Sequence, residues 1–287
     1  GVGLILPQTN VPGIGFLPFW YWIIAILVIV IIHEFAHALV AKAHGIPIKS
    51  SGLGFFAIIA PIIPIAFVEP DEKKVEKQSD IVQYSIYAAG PGSNLLTFAA
   101  IFFLLLPLLM PMASLLGTPG GFTFTASNTT VPAAIVPEDF TVTVVNGNDV
   151  DTWNDFANEI GSVSPGDQLT LANAQEEYTL TAIASDTNEN IGIYGMHLSK
   201  NLLNAKHSQL ALDTFNWTVG LLFWIGLLSF GIGLFNLVPL GPIDGGRMLR
   251  VFMHSVYEDK KKADSHWGKI SLVMLVLILI TLAPIFF

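Results

Sequence analysis

Four stretches of this 287-residue chain are so apolar, and so long, that a lipid bilayer is the natural place for them. A hydrocarbon core about 30 Å thick is crossed by roughly 20 residues of helix. The stretches run from Pro18 to Ala43, Tyr84 to Met110, Leu212 to Val238 and Ile270 to Phe287. Trp20, Tyr21 and Trp22 open the first and suit an interfacial aromatic belt. Only 12% of the residues are charged, against about 25% in soluble domains. The sequence therefore predicts an α-helical polytopic membrane protein of about four spans, an integral, multi-pass partner of the bilayer. Cysteine is absent, so any transition-metal site must use His, Asp or Glu. A net charge of -9 makes a nucleic-acid partner unexpected. No signal-peptide pattern precedes the first span, and because the sequence starts with Gly1 rather than Met a processed or truncated piece of a longer chain is expected.

Two further segments do not read as simple spans. Residues 53–68 are apolar but carry Pro61 and Pro64, which forbid a regular helix through them. Glycines and β-branched residues suit a hairpin or re-entrant loop, which must pack on protein or line a wet cavity. A short, kinked membrane helix is the alternative. Residues 118–200 turn polar and acidic, with Lys200 their only lysine or arginine. Apolar and polar residues alternate at Phe140–Val145 and Gln168–Leu171. Asn146-Gly147 and Ser164-Pro-Gly-Asp167 mark turns, and Trp153, Phe156 and Ile160 recur at helical spacing. A small soluble α+β insert is expected at 118–202, between membrane halves at 1–117 and 203–287. Lys42, Lys49, Lys73, Lys74, Lys77, Arg247, Arg250, Lys260, Lys261, Lys262 and Lys269 all fall on one side if each stretch spans once. That side is expected to be cytoplasmic, with the insert extracytoplasmic.

The chemistry starts at His33-Glu34-Phe35-Ala36-His37, near the end of the first span. Residues i and i+4 share a helix face, so both imidazoles can hold one Zn²⁺ with Glu34 beside them as general base. Ionisable groups at membrane depth are costly and default to a functional reading; a helix end already among headgroups is the bland one. A zinc site needs a third protein ligand and keeps a position for water. Asp244, in the Pro- and Gly-broken run from Phe235 to Arg247, is the candidate, against an ordinary solvated helix exit. Asn94, in Gly90-Pro-Gly-Ser-Asn94, is a polar residue in an apolar span. It suits either an oxyanion donor or a hydrogen bond between packed helices.

Taken together, HEFAH, the Gly90–Asn94 cluster and the Asn236…Pro239…Pro242-Ile-Asp244-Gly-Gly run resemble the signature elements of the site-2 protease family of intramembrane metalloproteases. The resemblance implies zinc bound by His33, His37 and Asp244, water activated by Glu34, and Asn94 near the active centre. It implies that the proline-broken stretch is a membrane-embedded β-hairpin that pairs with unwound substrate. Phe55, Phe56, Ile65, Phe67 and Asn236 are then candidate substrate-binding residues. The insert resembles a PDZ domain, which would filter or bind substrate ectodomains, although it lacks a clear carboxylate-binding glycine loop.

The expected activity is therefore zinc-dependent cleavage of membrane-spanning protein substrates, with membrane-tethered transcription or anti-sigma factors the class the resemblance suggests, and with the active site toward the cytoplasm. Two other readings compete. A non-catalytic membrane scaffold with a structural metal would not need Glu34. A prenyl-protein endopeptidase would take a distal glutamate as third ligand, and the last two spans contain none.

Overall fold

A computed structural model describes residues 7–11, 14–57 and 61–282. Two compact units emerge, one from residues 1–110 and 217–287, the other from 111–216.

In the first unit, two-residue strands β1 (Asn10–Val11) and β2 (Gly15–Phe16) pair ahead of helix α1, Phe19–Ala43. Trp22, Ala25, Ile29, His33, His37 and Ala41 are its buried residues, a 3-4 repeat that leaves Ile31, Phe35 and Leu39 exposed. An antiparallel hairpin follows, β3 (Ile48–Ala57) with β4 (Pro61–Pro70). The hairpin reading of this stretch thus describes its strands, and the tip at residues 58–60 lies outside the described residues. Gly52 and Gly54 lie under their cross-strand partners Phe67 and Ile65, and a Cβ at Gly52 would stand 2.9 Å from the Phe67 ring.

A one-turn helix α2 (Glu72–Val75) leads to α3, Asp80–Ala100. Helical structure continues through a π-helical turn at Ile101–Leu105, α4 (Leu106–Leu109), a 3₁₀ turn and α5 (Ala113–Leu116). Pro91, inside α3, gives no N–H to the Tyr87 carbonyl. The helical ladder is therefore interrupted one residue from Ile86, whose carbonyl the site uses.

The second unit is a β-rich domain with its own core. Strand β5 (Gly117–Ala126) pairs with β12 (Met196–Ala205). Between them, β6 (Val144–Val145), β7 (Asn148–Asp149), β8 (Gln168–Ala172) and β9 (Glu177–Thr181) form a sheet in the order β7-β6-β8-β9. Strands β10 (Ile183–Ser185) and β11 (Asn188–Ile193) form a separate pair. Asn146 and Gly147, both at positive φ, make the tight β6–β7 turn. Helix α6 (Trp153–Ile160) carries a capping box between Thr152 and Asp155. Its Phe156 packs into the core with Phe122, Val142, Leu169 and Leu171. Of the alternating run Phe140–Val145, only Val144–Val145 is strand, with an isolated bridge from Val142 to Phe122. Alternating residues there reflect burial of Phe140 and Val142 from an irregular chain.

The chain closes with α7 (Gln209–Asn236), α8 (Asp244–Val256) and α9 (Lys260–Leu282). The last apolar helix starts ten residues before the expected Ile270, because its charged first turns continue helically: Trp267 Nε1 donates to the Gly246 carbonyl of α8 at 2.8 Å. Its expected end, 283–287, lies outside the described residues. Among the described residues four helices are long and apolar enough to cross a membrane: Phe19–Ala43, Asp80–Leu116, Gln209–Asn236 and Lys260–Thr281. Their apolar windows are at most a third buried within the protein, so Leu96, Phe103 and Leu272 are left uncovered for lipid. Within the first unit, Trp22, Ala25 and Ile29 of α1 pack on Ile101 of the π-turn and on Trp224, Ile225 and Leu228 of α7. This core fixes the height of α1 relative to α3.

Candidate metal centre

Two imidazoles one helical turn apart present their Nε2 atoms to a single carboxylate. His33 Nε2 and His37 Nε2 are 3.2 Å apart, and Asp244 Oδ2 lies 3.0 Å from the first and 3.3 Å from the second. Among the described residues these three form a group able to hold a metal ion. Donors about 2.0–2.1 Å from a tetrahedral ion stand about 3.3 Å from each other. The observed triangle matches that spacing to within a few tenths of an ångström. Both histidines are buried, at 8% and 7% exposure.

Each imidazole is oriented from behind. His37 Nδ1–H donates to the Ile86 carbonyl at 2.7 Å, leaving the Nε2 lone pair for a metal. The Asn94 side chain is fully buried and meets His33 Nδ1 at 3.1 Å through its nitrogen, while its oxygen has no partner. A ligating His33 must carry its proton on Nδ1. Turning the carboxamide over then lets Asn94 Oδ1 accept that proton, the orientation the donor chemistry selects. In that orientation Asn94 would position His33 for a metal. Asn94→Ala is expected to weaken metal binding about 10- to 100-fold, measured by competition with a chelating dye, with Asn94→Gln recovering part of the loss.

Gly90 is the floor of the site. A Cβ there would run into both Nε2 atoms. Gly90→Ala is expected to lower metal affinity at least about tenfold, the scale of losing one outer-shell partner, with the helical circular-dichroism signal unchanged. Full affinity would show that the helices separate freely.

Asp244 reaches the pair because of how α8 begins. Asn236 ends α7, residues 237–243 fold back, and Asp244 is the first residue of α8 after the extended Ile243. Gly245 and Gly246 allow this: a Cβ on either would collide with backbone in the turn at Leu237, Val238 or Leu240. Ion pairs then tie α8 down. Arg250 donates to Asp264 of α9 at 2.9 Å and lies 3.3 Å from Glu76, and Arg247 lies 3.5 Å from Glu72. These pairs are part-exposed and contribute little stability each, but they place the helix.

A cavity of about 360 Å³ opens onto the triangle. Glu34, Asn94 and Asn236 line it, with Phe67 and Val68 of β4. Glu34 does not join the triangle; its Oε2 accepts the Val68 N–H at 2.8 Å. Of the other sequence candidates, Ile65 is exposed on the hairpin away from the cavity lining. Phe55 and Phe56 sit on β3 opposite Pro64 and Ile63; their side chains lie outside the described residues. The Glu34–Val68 contact and the Ile86 carbonyl carry no sequence signal, since each is a meeting of distant segments; Gly90 is marked in sequence only as part of the Gly90–Asn94 cluster.

The sequence profile described as peptidase family M50 matches residues 21–281. The chain is 28% identical to the uncharacterized protein MJ0971 of Methanocaldococcus jannaschii over 257 residues, which is 86% of this chain and 61% of that one. It is 38% identical to the zinc metalloprotease RasP of Oceanobacillus iheyensis over 64 residues, 21% of this chain and 15% of that one. The chain therefore spans about three fifths of the first relative's length and far less of the second's. The profile covers helix α1 with its HEFAH, the hairpin, the Asn94 helix and the Asp244 run, together with the apolar helices that make this an integral membrane protein. On that match the chain belongs to peptidase family M50.

Proposed function

We propose that this chain is a zinc-dependent intramembrane endopeptidase of the site-2 protease type, which hydrolyses peptide bonds in membrane-spanning segments of other proteins. The observation that carries the proposal is the ligand triangle with a carboxylate in the same cavity. Family membership and the zinc metalloprotease among the relatives support the choice of zinc. His33, His37 and Asp244 would hold it. Bound there, zinc acts as a Lewis acid, lowering the pKa of water to about 7 and polarising a carbonyl. Glu34 takes the proton from the attacking water and returns it to the leaving nitrogen. Asn94 and the Ile86 carbonyl keep the imidazoles in the ligating tautomer, and Asn236 and Phe67 shape the cavity wall. The outer edge of β4, which no other described strand pairs with, offers an unwound substrate backbone groups to replace its lost helical bonds.

The orientation belongs to this proposal too: we read the site as cytoplasmic, a reading the basic residues near it support, and the acidic unit as lying outside. We read that unit as PDZ-like, on the strength of its sheet and capped helix, meeting substrate ectodomains as a filter. Membrane-tethered regulators, such as transcription or anti-sigma factors, are the substrate class proposed. A scaffold with a structural metal is the weaker reading, because it leaves Glu34 without a task.

The test is cleavage of a transmembrane reporter by the protein in liposomes. A chelator is expected to abolish cleavage and added zinc to restore it. Cleavage that persists after the metal is stripped would contradict the proposal, and so would a zinc-loaded protein that cleaves none of a panel of unwinding-prone transmembrane reporters.

A further inference from the structure

Antiparallel strands alternate between pairs that exchange two N–H···O bonds and pairs that exchange none. Pro64 has no N–H, so its pair with Phe55 is of the second kind. The register runs unbroken from there, which puts the pairs Leu53–Ala66 and Ser51–Val68 in the same class. The backbone groups of Ala66 and Val68 therefore point away from β3. Among the described residues no other strand pairs with that edge of β4. The side-chain contacts agree independently: the Val68 N–H points off the hairpin and donates to Glu34 Oε2 at 2.8 Å.

The acceptor is the residue assigned as general base, and the donor is one that an added strand would need. A strand docking on this edge pairs with the outward groups of Ala66 and Val68. A single N–H cannot fully serve both a substrate carbonyl and a carboxylate. Glu34 also has room to move. It lines the cavity at the metal ligands and a second, apolar cavity of about 530 Å³ between α1 and the hairpin, walled by Phe35, Leu39, Leu53 and Ala66.

We propose that the Val68 N–H is a latch on Glu34 that substrate docking releases. At rest it holds the carboxylate on β4. An extended segment of a membrane-spanning substrate adds to the β4 edge, a carbonyl of that segment takes the N–H, and Glu34 is freed to accept a proton from water. A segment still in a helix, with its carbonyls already bonded along its own axis, does not release the latch. Selection for unwound segments is thus built into the base itself. This rests on the hydrolytic reading above and adds to it how the base is made available.

Backbone amide exchange in the full chain in micelles tests the latch, read at Val68 and Ala66 by valine and alanine labelling. Glu34→Gln and Glu34→Ala both lack the base, so a bound peptide is not consumed. The probe is a synthetic apolar peptide of about 20 residues with a glycine- and asparagine-rich centre. Without peptide, Val68 is expected to exchange on the order of tenfold more slowly than Ala66 in the unmodified protein. Glu34→Ala removes that difference, and Glu34→Gln, which keeps an acceptor oxygen, retains part of it. Peptide slows both amides in both variants and binds Glu34→Ala several-fold more tightly than Glu34→Gln, with exchange in α1 and α3 unchanged. Unaltered Val68 exchange in Glu34→Ala, or equal peptide affinity in the two variants, would overturn the latch. A peptide that slows neither amide would overturn strand addition itself, and the docking step with it. Loss of the hydrolytic reading would show separately, in the liposome cleavage assay.

Discussion

Glu34→Gln is expected to keep one zinc ion per chain and to lower cleavage of a transmembrane reporter by roughly two to four orders of magnitude, the usual worth of a positioned acid–base group. The substitution is close to isosteric. It removes the ability to take a proton and little else: the Glu34 side chain lies outside the triangle formed by His33, His37 and Asp244, and a glutamine oxygen can still accept the Val68 N–H that Glu34 accepts now. Zinc content and cleavage rate therefore separate in this variant. Near-normal activity would remove Glu34 from the mechanism, whereas loss of zinc together with activity would assign it to the metal's support.

Asp244→Ala is expected to lose both. It deletes one corner of a triangle whose other two corners, 3.2 Å apart, sit on a single helix. Two imidazoles alone leave a divalent ion half-coordinated by protein and uncompensated in charge. Zinc affinity should fall well beyond the 10- to 100-fold scale of an outer-shell change such as Asn94→Ala, leaving purified protein with less than about a tenth of an ion per chain. The fold should survive, because α8 is held by Arg250 to Asp264 and by Trp267 to the Gly246 carbonyl, contacts that do not involve Asp244. Asp244→Asn keeps the shape and one neutral oxygen, so it is expected to fall between the two. Zinc at full occupancy in Asp244→Ala, measured by elemental analysis, would show that the third ligand lies elsewhere.

Much of this arrangement is visible in one dimension because membrane helices are written in long apolar runs. The spacing of His33 and His37 needs only the helical repeat to place both on one face, and the carboxylate of Asp244 stands out against a run of Pro and Gly. What the linear pattern hides is how the chain turns. Pro239, Gly241 and Pro242 read as an exit from a helix, yet Asp244 opens a new helix two residues after Pro242. Gly245 and Gly246, poor helix formers by propensity, are helical because only they fit against the turn at 237–241. Asn94 shows the same limit. Its sequence setting allows an oxyanion donor or a helix-packing hydrogen bond, and only the approach of α3 to α1 puts it behind His33. The charged first turns of α9 fail a hydropathy reading because charge masks a helix that continues from Lys260. In the β-rich second unit, alternation at Phe140–Val145 reports burial faithfully and backbone pairing poorly, since an irregular chain can also bury every second residue.

These features converge on a site able to hold one metal ion between two imidazoles of α1 and a carboxylate at the head of α8, each oriented by a group behind it or by the turn that delivers it. X-ray absorption at the zinc edge of the loaded protein in micelles reads that claim most directly. The prediction is a four-coordinate shell of nitrogen and oxygen at about 2.0–2.1 Å, with the outer-shell scattering of two imidazoles. A six-coordinate, all-oxygen shell without imidazole scattering would contradict it.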